Sequence, residues 1–215
     1  MSQPLRTLRQ SNGAATLIVL LPGAYMTPAD FEKAGFFSAV SRRRLALDIA
    51  AVDLDFAAIS GGTALPALQA EILEPARQQG YEKIWLGGIS LGGLLALCHN
   101  ADTPGSIDGL CLLAPYPGSR LTTNAIARAG GLAHWQATPE ELTDPEFRMW
   151  RWLQKPPPDF PVFVGYGTED RFAEGMQQIA ECFPPAARHA LPGDHDWPVW
   201  QLLWERFLDS GTLPI

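Results

Sequence analysis

The sequence contains few cysteines, and this scarcity excludes a disulfide-stabilised scaffold and a cysteine-ligated metal domain. Its 215 residues include three cysteines, which are scattered along the chain and lack the spacing of metal ligands. A sparse and odd-numbered set of thiols does not build a disulfide framework and is typical of a reducing compartment. We therefore expect a cytoplasmic location and reduced thiols at Cys98, Cys111 and Cys182.

Positive charge and long apolar runs are also scarce. Sixteen Lys and Arg against 23 Asp and Glu give a formal net charge of −7, and no basic run is longer than 42–44. The sequence therefore shows no basic segment that would bind a nucleic acid or an anionic membrane. The net negative charge also disfavours strongly anionic substrates, unless a local basic patch overrides it. No apolar run approaches the roughly 18 residues of a membrane span. The composition, 47% apolar, predicts one globular domain over 1–215.

The first 21 residues allow two interpretations. Arg6 and Arg9, followed by the apolar stretch 14–21, resemble a weak signal peptide. The residues at 16–21 are also β-branched or apolar and end at a Pro-Gly pair, as a buried strand would. We favour the strand because the polar residues 10–12 separate the two arginines from the apolar run.

Short apolar runs alternate with helix-like segments along the rest of the chain. We predict strands at 16–21, 45–54, 83–86, 109–113, 162–165 and 188–191. Several are continuously apolar, as strands buried on both faces of a parallel sheet are. We predict helices from Thr27 towards Val40, over 65–79 with a bend at Pro75, over 91–99 and 173–182, and from Pro198 onward. This order predicts an α/β fold, with a mostly parallel central sheet flanked by helices.

Residues 116–159 interrupt the alternation of strands and helices. The segment is rich in proline, glycine and tryptophan and is long for a connection between two strands. It is either a helical lid or cap insertion over a site or a peripheral packing layer, and the sequence favours neither.

The most specific motif is Gly-Gly-Ile-Ser-Leu-Gly-Gly at 87–93. It contains a G-x-S-x-G pattern directly after a predicted strand and directly before a predicted helix. Glycines allow the turn to be so tight that the serine is strained and its hydroxyl is exposed above the sheet. Phosphate binding is the weaker alternative, since no lysine follows as in a P-loop. Ser90 is therefore the candidate nucleophile.

A serine hydroxyl needs a base and an orienting acid to become a nucleophile. His195 lies in a loop between the last strand and the last helix, and Asp170 follows the strand 162–165, with Glu169 as a competing acid. Both lie after the carboxyl ends of strands, where α/β sheets place their sites. The structural alternatives are a helix cap for Asp170 and a solvated loop or metal-binding role for His195. We expect structural roles for the other histidines, His99, His134 and His189.

Hydrolysis through a serine also needs donors for the oxyanion. The amide of Leu91, at the start of the helix after the serine, is one candidate. The loop after the first strong strand supplies the second, from Ala24 or Tyr25, because Gly23 lets the backbone approach closely.

Together these residues resemble the α/β-hydrolase superfamily, in a small serine esterase-like version that covers almost the whole chain. The resemblance rests on Pro22-Gly23-Ala24, the serine motif at 88–92, Asp170 and His195. It implies hydrolysis of carboxylic esters or thioesters through an acyl-enzyme, without a cofactor or metal. It also favours a lid or cap insertion at 116–159, because family members carry a lid at this place. The chain departs from the family in two ways. It has Pro-Gly where His-Gly is frequent, and the hairpin that usually begins the sheet is missing or reduced to a short element near residues 5–8.

The sequence therefore predicts an enzyme that acts on a small-molecule ester or thioester. The leading hypothesis is a serine esterase for small or medium groups, and the alternatives are a thioesterase or acyltransferase on the same triad or a non-catalytic binding protein of this fold. Four tryptophans are candidates for the substrate pocket, although core packing is the favoured role for each of them taken singly. They are Trp135, Trp150, Trp152 and Trp197.

Overall fold

The computed structural model describes residues 4–215, which form a seven-stranded sheet with helices on both faces. The strand order across the sheet is β1-β3-β2-β4-β5-β6-β7, and all neighbours are parallel except β1, which runs antiparallel to β3. The strands are β1 (Thr7–Gln10), β2 (Thr16–Leu21), β3 (Leu47–Val52), β4 (Lys83–Ile89), β5 (Gly109–Leu113), β6 (Val162–Gly167) and β7 (Arg188–Leu191). This confirms the predicted α/β fold with a mostly parallel sheet.

The helices connect the strands and cover both faces of the sheet. They are α1 (Pro28–Lys33), α2 (Phe36–Arg43), α3 (Phe56–Ser60), α4 (Ala64–Leu68), α5 (Glu74–Gln78), α6 (Leu91–Asp102), α7 (Arg120–Arg128), α8 (Pro145–Leu153), α9 (Ala173–Glu181) and α10 (Trp197–Asp209). Short 3-10 turns lie at Glu141–Thr143 and Pro185–Ala187. In the part of the chain that the structure describes, no helix is both long and apolar enough to cross a bilayer.

Alternate residues of the central strand β2 point into two separate cores. Leu17, Val19 and Leu21 pack with α4, α5, α6 and α8 on one face of the sheet. Ile18 and Leu20 pack with α1, α2 and α10 on the other face. Burial on both faces explains why the run is continuously apolar, and it confirms the predicted strand at residues 16–21.

The boundaries of several elements differ from the sequence prediction. Strand β4 continues through two glycines to Ile89, and β6 continues to Gly167, because both strands extend to the edge where the site lies. The predicted helix over 65–79 is divided by a π-helical turn at Gln69–Leu73, just before Pro75, whose missing N–H cannot join a regular helix. Strand β1 and helix α3 were not predicted as elements; β1 lies at the sheet edge, close to the reduced leading hairpin expected near residues 5–8.

The segment 116–159 contains two helices with different surroundings. Helix α8 packs against α6 and buries Phe147, Met149, Trp150 and Leu153 in the core. An ion pair between Arg148 and Asp102 also joins α8 to the end of α6. Helix α7 buries only Thr122 and Ile126 and is otherwise more exposed. A lid role for this segment stays a prediction.

Candidate active site

The turn between β4 and α6 places Ser90 in a strained conformation. Its φ is 53° and its ψ is −114°, which a residue with a side chain adopts only when the surrounding structure imposes it. The flanking glycines make this turn possible, since an added Cβ would lie 2.3 Å from the carbonyl carbon of Gly92 if built at Gly88. An added Cβ at Gly92 would lie 2.0 Å from the carbonyl oxygen of Leu21. Only glycine fits at either position, so the motif holds Ser90 at the point of a sharp strand-to-helix turn.

Three side chains that are far apart in sequence form one hydrogen-bonded series. The Oγ atom of Ser90 lies 2.9 Å from Nε2 of His195. The other ring nitrogen of His195, Nδ1, is hydrogen-bonded to Oδ2 of Asp170. The Asp170 side chain is completely buried, and that of His195 is 14% exposed. The structure thus brings together a hydroxyl, an imidazole and a carboxylate in the arrangement that activates a nucleophile.

Asp170 is held by its own turn as well as by the imidazole. Its Oδ1 accepts a hydrogen bond of 2.8 Å from the amide of Phe172, and its carbonyl oxygen accepts one from Ala173 at the start of α9. The competing acid, Glu169, is exposed and contributes its backbone amide to the carbonyl of Gly193. The carboxylate that meets the imidazole is therefore that of Asp170, which also supports the turn.

The loop that carries His195 is fixed by the acids on either side of it. Oδ1 of Asp194 accepts the amide of His195 at 2.8 Å, and Oδ1 of Asp196 caps α10 by accepting the amide of Val199. Within residues 4–215, no group of His, Cys, Asp and Glu side chains is placed to hold a metal ion. The imidazole meets two aromatic rings edge-on, with centroid distances of 5.6 Å to Phe172 and 5.1 Å to Trp200.

The loop after β2 lies against the serine turn. A Cβ at Gly23 would lie 3.5 Å from Cβ of Ser90, so the backbone of this loop approaches the nucleophile closely. The hydrogen bonds found in residues 4–215 include none donated by the amides of Ala24, Tyr25 or Leu91. These three amides, which the sequence suggested as oxyanion donors, are therefore available near the hydroxyl. Tyr25 has a φ of 63° and a fully exposed side chain.

The remaining histidines lie away from this series. His99 is buried in α6, with Nε2 3.0 Å from Oε1 of Gln69, and burial lowers its pKa to about 4. His189 stacks on Phe163, and burial lowers its pKa as well. His134 is exposed in the loop after α7. None of the three contacts Ser90 through a hydrogen bond found in the described residues.

A large open groove begins beside the three side chains. Its volume is about 1270 Å³, and facing residues of α7 and α9 form its walls. Tyr116 and Phe172 both line the groove and contact residues of the site: the amide of Tyr116 donates to the carbonyl of Ser90 at 2.9 Å, and the Phe172 ring meets the His195 imidazole. The rings of Tyr116 and Phe172 meet edge-on with centroids 5.1 Å apart. Sequence analysis missed both residues, although each follows the carboxyl end of a strand, the edge where such sites form.

The four candidate tryptophans do not line this groove. Trp135 and Trp150 are buried in the core, and the indole nitrogen of Trp150 donates to the carbonyl of Pro117. Trp152 packs against Phe160 and Phe183. Trp197 meets the rings of Phe31, Phe36 and Trp200 edge-on. This placement favours core packing over substrate contact for Trp135, Trp150 and Trp152.

Comparison with known proteins defines the class to which this fold and site belong. The sequence profile of the alpha/beta hydrolase family matches residues 18–210 of the chain. The chain therefore belongs to the alpha/beta hydrolase family. No curated protein matches the sequence significantly.

Solved structures of low sequence identity share the fold. A monoacylglycerol lipase from Paleococcus ferrophilus aligns with a TM-score of 0.62 and 16% identity, covering 98% of each chain. The fluorophosphonate-binding serine hydrolase F of Staphylococcus aureus aligns with a TM-score of 0.67 and 12% identity, covering 98% of this chain and all of that one. The S-formylglutathione hydrolase of the same species has a TM-score of 0.62 and 13% identity, with 93% and 82% coverage.

Proposed function

We propose that the protein is a serine hydrolase that cleaves carboxylic esters with small or medium acyl and alcohol groups. The observation that carries this proposal is the hydrogen-bonded series from Ser90 through His195 to the buried Asp170. It lies on three different loops that converge at the carboxyl edge of the sheet, and the nucleophile is held in a strained turn. Membership of the alpha/beta hydrolase family supports the same conclusion.

In the proposed reaction the imidazole moves one proton at each stage. Nε2 of His195 removes the proton of the Ser90 hydroxyl as the oxygen attacks the ester carbonyl. The amides of Leu91 and of Ala24 or Tyr25 stabilise the oxyanion that forms, and each such donor contributes on the order of 3 kcal/mol to the transition state. His195 then donates the proton to the leaving alcohol. Water repeats the sequence on the acyl-enzyme and releases the acid.

Asp170 acts in this reaction by orienting the base. Its buried carboxylate accepts the Nδ1 proton of His195, which leaves Nε2 unprotonated and facing Ser90. The same carboxylate stabilises the imidazolium that forms when the hydroxyl loses its proton. Because Asp170 is excluded from water, this interaction is stronger than an exposed ion pair would be.

A thioesterase or acyltransferase on the same triad is the second candidate. The triad attacks a thioester carbonyl by the same steps, and the similar structures include an S-formylglutathione hydrolase as well as a monoacylglycerol lipase. Competition between an oxygen ester and a thioester of the same acyl group separates the two. A preference for the thioester, or transfer of the acyl group to an added alcohol or thiol in place of water, would favour the second candidate.

Three matched variants test the triad. We expect Ser90→Ala and His195→Ala to abolish ester turnover while circular dichroism and thermal unfolding stay close to wild type. Ser106→Ala is the control, because its hydroxyl has no hydrogen-bond partner in the described residues and lies outside the site. Ester turnover retained in the Ser90 or His195 variant would contradict the proposal.

We further propose a cytoplasmic location, on the basis of the cysteines. Cys98 and Cys111 are buried, are not joined in a disulfide, and burial raises the pKa of both thiols. Cysteines that are not paired in disulfides are typical of proteins in a reducing compartment. Recovery of the protein from an extracytoplasmic fraction of its source cells would contradict this location.

A further inference from the structure

The groove beside the triad contains an arginine that no carboxylate of the described residues pairs with. Arg171 follows Asp170 directly and is exposed, and no ion pair within 4 Å involves it. Its guanidinium carbon lies 4.6 Å from the centroid of the Phe172 ring, so the cation is held over an aromatic face. We infer that Arg171 determines specificity by binding a single carboxylate group on the substrate. This inference rests on the proposed function and narrows its substrate class.

The guanidinium is close enough to the reacting centre to act on a bound substrate. The Phe172 ring that supports Arg171 also meets the His195 imidazole, with centroids 5.6 Å apart. The guanidinium carbon is therefore no more than about 10 Å from the imidazole. A charge-assisted hydrogen bond spans about 3 Å, so a carboxylate bound to Arg171 lies within about 13 Å of the imidazole. A short linear chain between the ester and the carboxylate covers this gap.

The charges of the groove limit what the anion can be. Arg120 on α7 also lines the groove, as do Glu174 and Glu181 on α9, and none of the three forms an ion pair with a residue of 4–215. Glu169, next to the site, is exposed as well. These acids and the net charge of −7 repel a polyanion such as a polyphosphate. A single carboxylate, by contrast, accepts two parallel hydrogen bonds from the planar guanidinium of Arg171, and the acids of the groove repel it less than they repel a polyanion.

The groove geometry is compatible with an extended, partly polar substrate. The residues that line its two walls recur at the spacing of a helix face. They are Arg120, Thr123, Asn124 and Ala127 on α7 and Glu174, Gly175, Gln178 and Glu181 on α9. Seven residues of helix correspond to a length of about 10 Å. Apolar side chains such as Ile126, Leu132 and Leu153 also line the groove, and this mixture of apolar and polar walls suits a chain that is apolar along its length and ends in a polar group.

Two pairs of esters test the inference and locate the carboxylate. The first pair, methyl hexanoate and the methyl half-ester of adipate, places the charge on the acyl side. The second pair, hexyl acetate and the acetate ester of hydroxyhexanoate, places it on the alcohol side. We expect wild type to favour the carboxylated member of one pair in kcat/KM. Arg171→Gln should lower that preference by about tenfold or more, without changing kcat/KM for the neutral ester.

Control variants separate charge recognition from structural damage. Arg171→Lys keeps the charge and should retain part of the preference. Arg206→Gln removes an exposed charge on α10 that forms no ion pair within the described part of the chain, and it should leave the preference unchanged. An unchanged preference in Arg171→Gln for both pairs would overturn the inference. An equal loss for neutral and carboxylated esters would also overturn it, because Arg171 would then act only on the structure.

A binding measurement distinguishes failure of this inference from failure of the proposed hydrolysis. Calorimetric titration of Ser90→Ala with both pairs of esters needs no turnover. We expect tighter binding of the carboxylated member of the same pair that wild type prefers, and this difference is lost when Arg171→Gln is added to Ser90→Ala. Equal binding of the two members in both pairs would overturn the specificity role. If wild type turns over no ester but Ser90→Ala still binds the carboxylated ester selectively, the proposed hydrolysis is refuted and the role of Arg171 in binding a carboxylate is not.

Discussion

Replacement of Ser90 by glycine and by alanine isolates the strain in the nucleophile turn. Both variants remove the hydroxyl and its hydrogen bond to His195, and they differ only in the Cβ atom. At an ordinary position, glycine is less stable than alanine by about 0.5–1 kcal/mol, because it loses more backbone entropy on folding. At Ser90, however, the φ of 53° imposes strain of about 1–3 kcal/mol on any residue with a Cβ. We therefore expect Ser90→Gly to be more stable than Ser90→Ala by about 1 kcal/mol.

Urea unfolding followed by tryptophan fluorescence measures this difference. The two variants should show the same m-value and different midpoints, since the change is in stability and not in the surface exposed on unfolding. Neither variant should turn over an ester. A stability order in which Ser90→Ala equals or exceeds Ser90→Gly would refute the claim that the fold holds its nucleophile under strain.

Three further changes test other parts of the site and the fold. Asp170→Asn should lower kcat for ester hydrolysis by about 10³–10⁴-fold with little effect on folding, because the amide cannot hold the required imidazole tautomer. Gly92→Ala should lower the free energy of unfolding by about 1–3 kcal/mol or more, since its Cβ meets the Leu21 backbone. Gly105→Asn should lower it less, because the position has open space and asparagine tolerates its φ of 85° better than most residues do. The folded-state pKa of His99, about 4, lies below its ordinary value of 6.5, so wild type should lose up to about 3 kcal/mol as the pH falls through that interval. His99→Gln should show a smaller loss when urea unfolding is compared at pH 7 and pH 4.5.

The sequence was most informative where local chemistry and the fold impose the same requirement. The glycines around Ser90 are required by backbone contacts of 2.0–2.3 Å, so their pattern predicted the turn. The continuous apolar residues of β2 and β5 are required by burial on both faces, and both strands have the predicted boundaries. Asp170 and His195 were located by their position after strands, which is a property of the fold as a whole.

The predictions were weaker where the outcome depends on which side chains face one another. The spacing of Phe147, Trp150 and Leu153 describes a buried helix face and, if read as such, would have favoured core packing in the 116–159 segment. The groove between α7 and α9 depends on how the two helices lie relative to each other, and no local pattern encodes it. No sequence pattern predicted the role of Arg171, because that role depends on the position of its guanidinium over the Phe172 ring.

Covalent labelling of Ser90 tests the central claim most directly. The wild-type protein and Ser90→Ala are incubated with a fluorophosphonate, and the intact mass of each is measured. We expect a single adduct on wild type and none on Ser90→Ala, because only a hydroxyl activated by His195 reacts at an appreciable rate. No adduct on folded wild type, or an adduct that persists in Ser90→Ala, would contradict an activated nucleophile at this position.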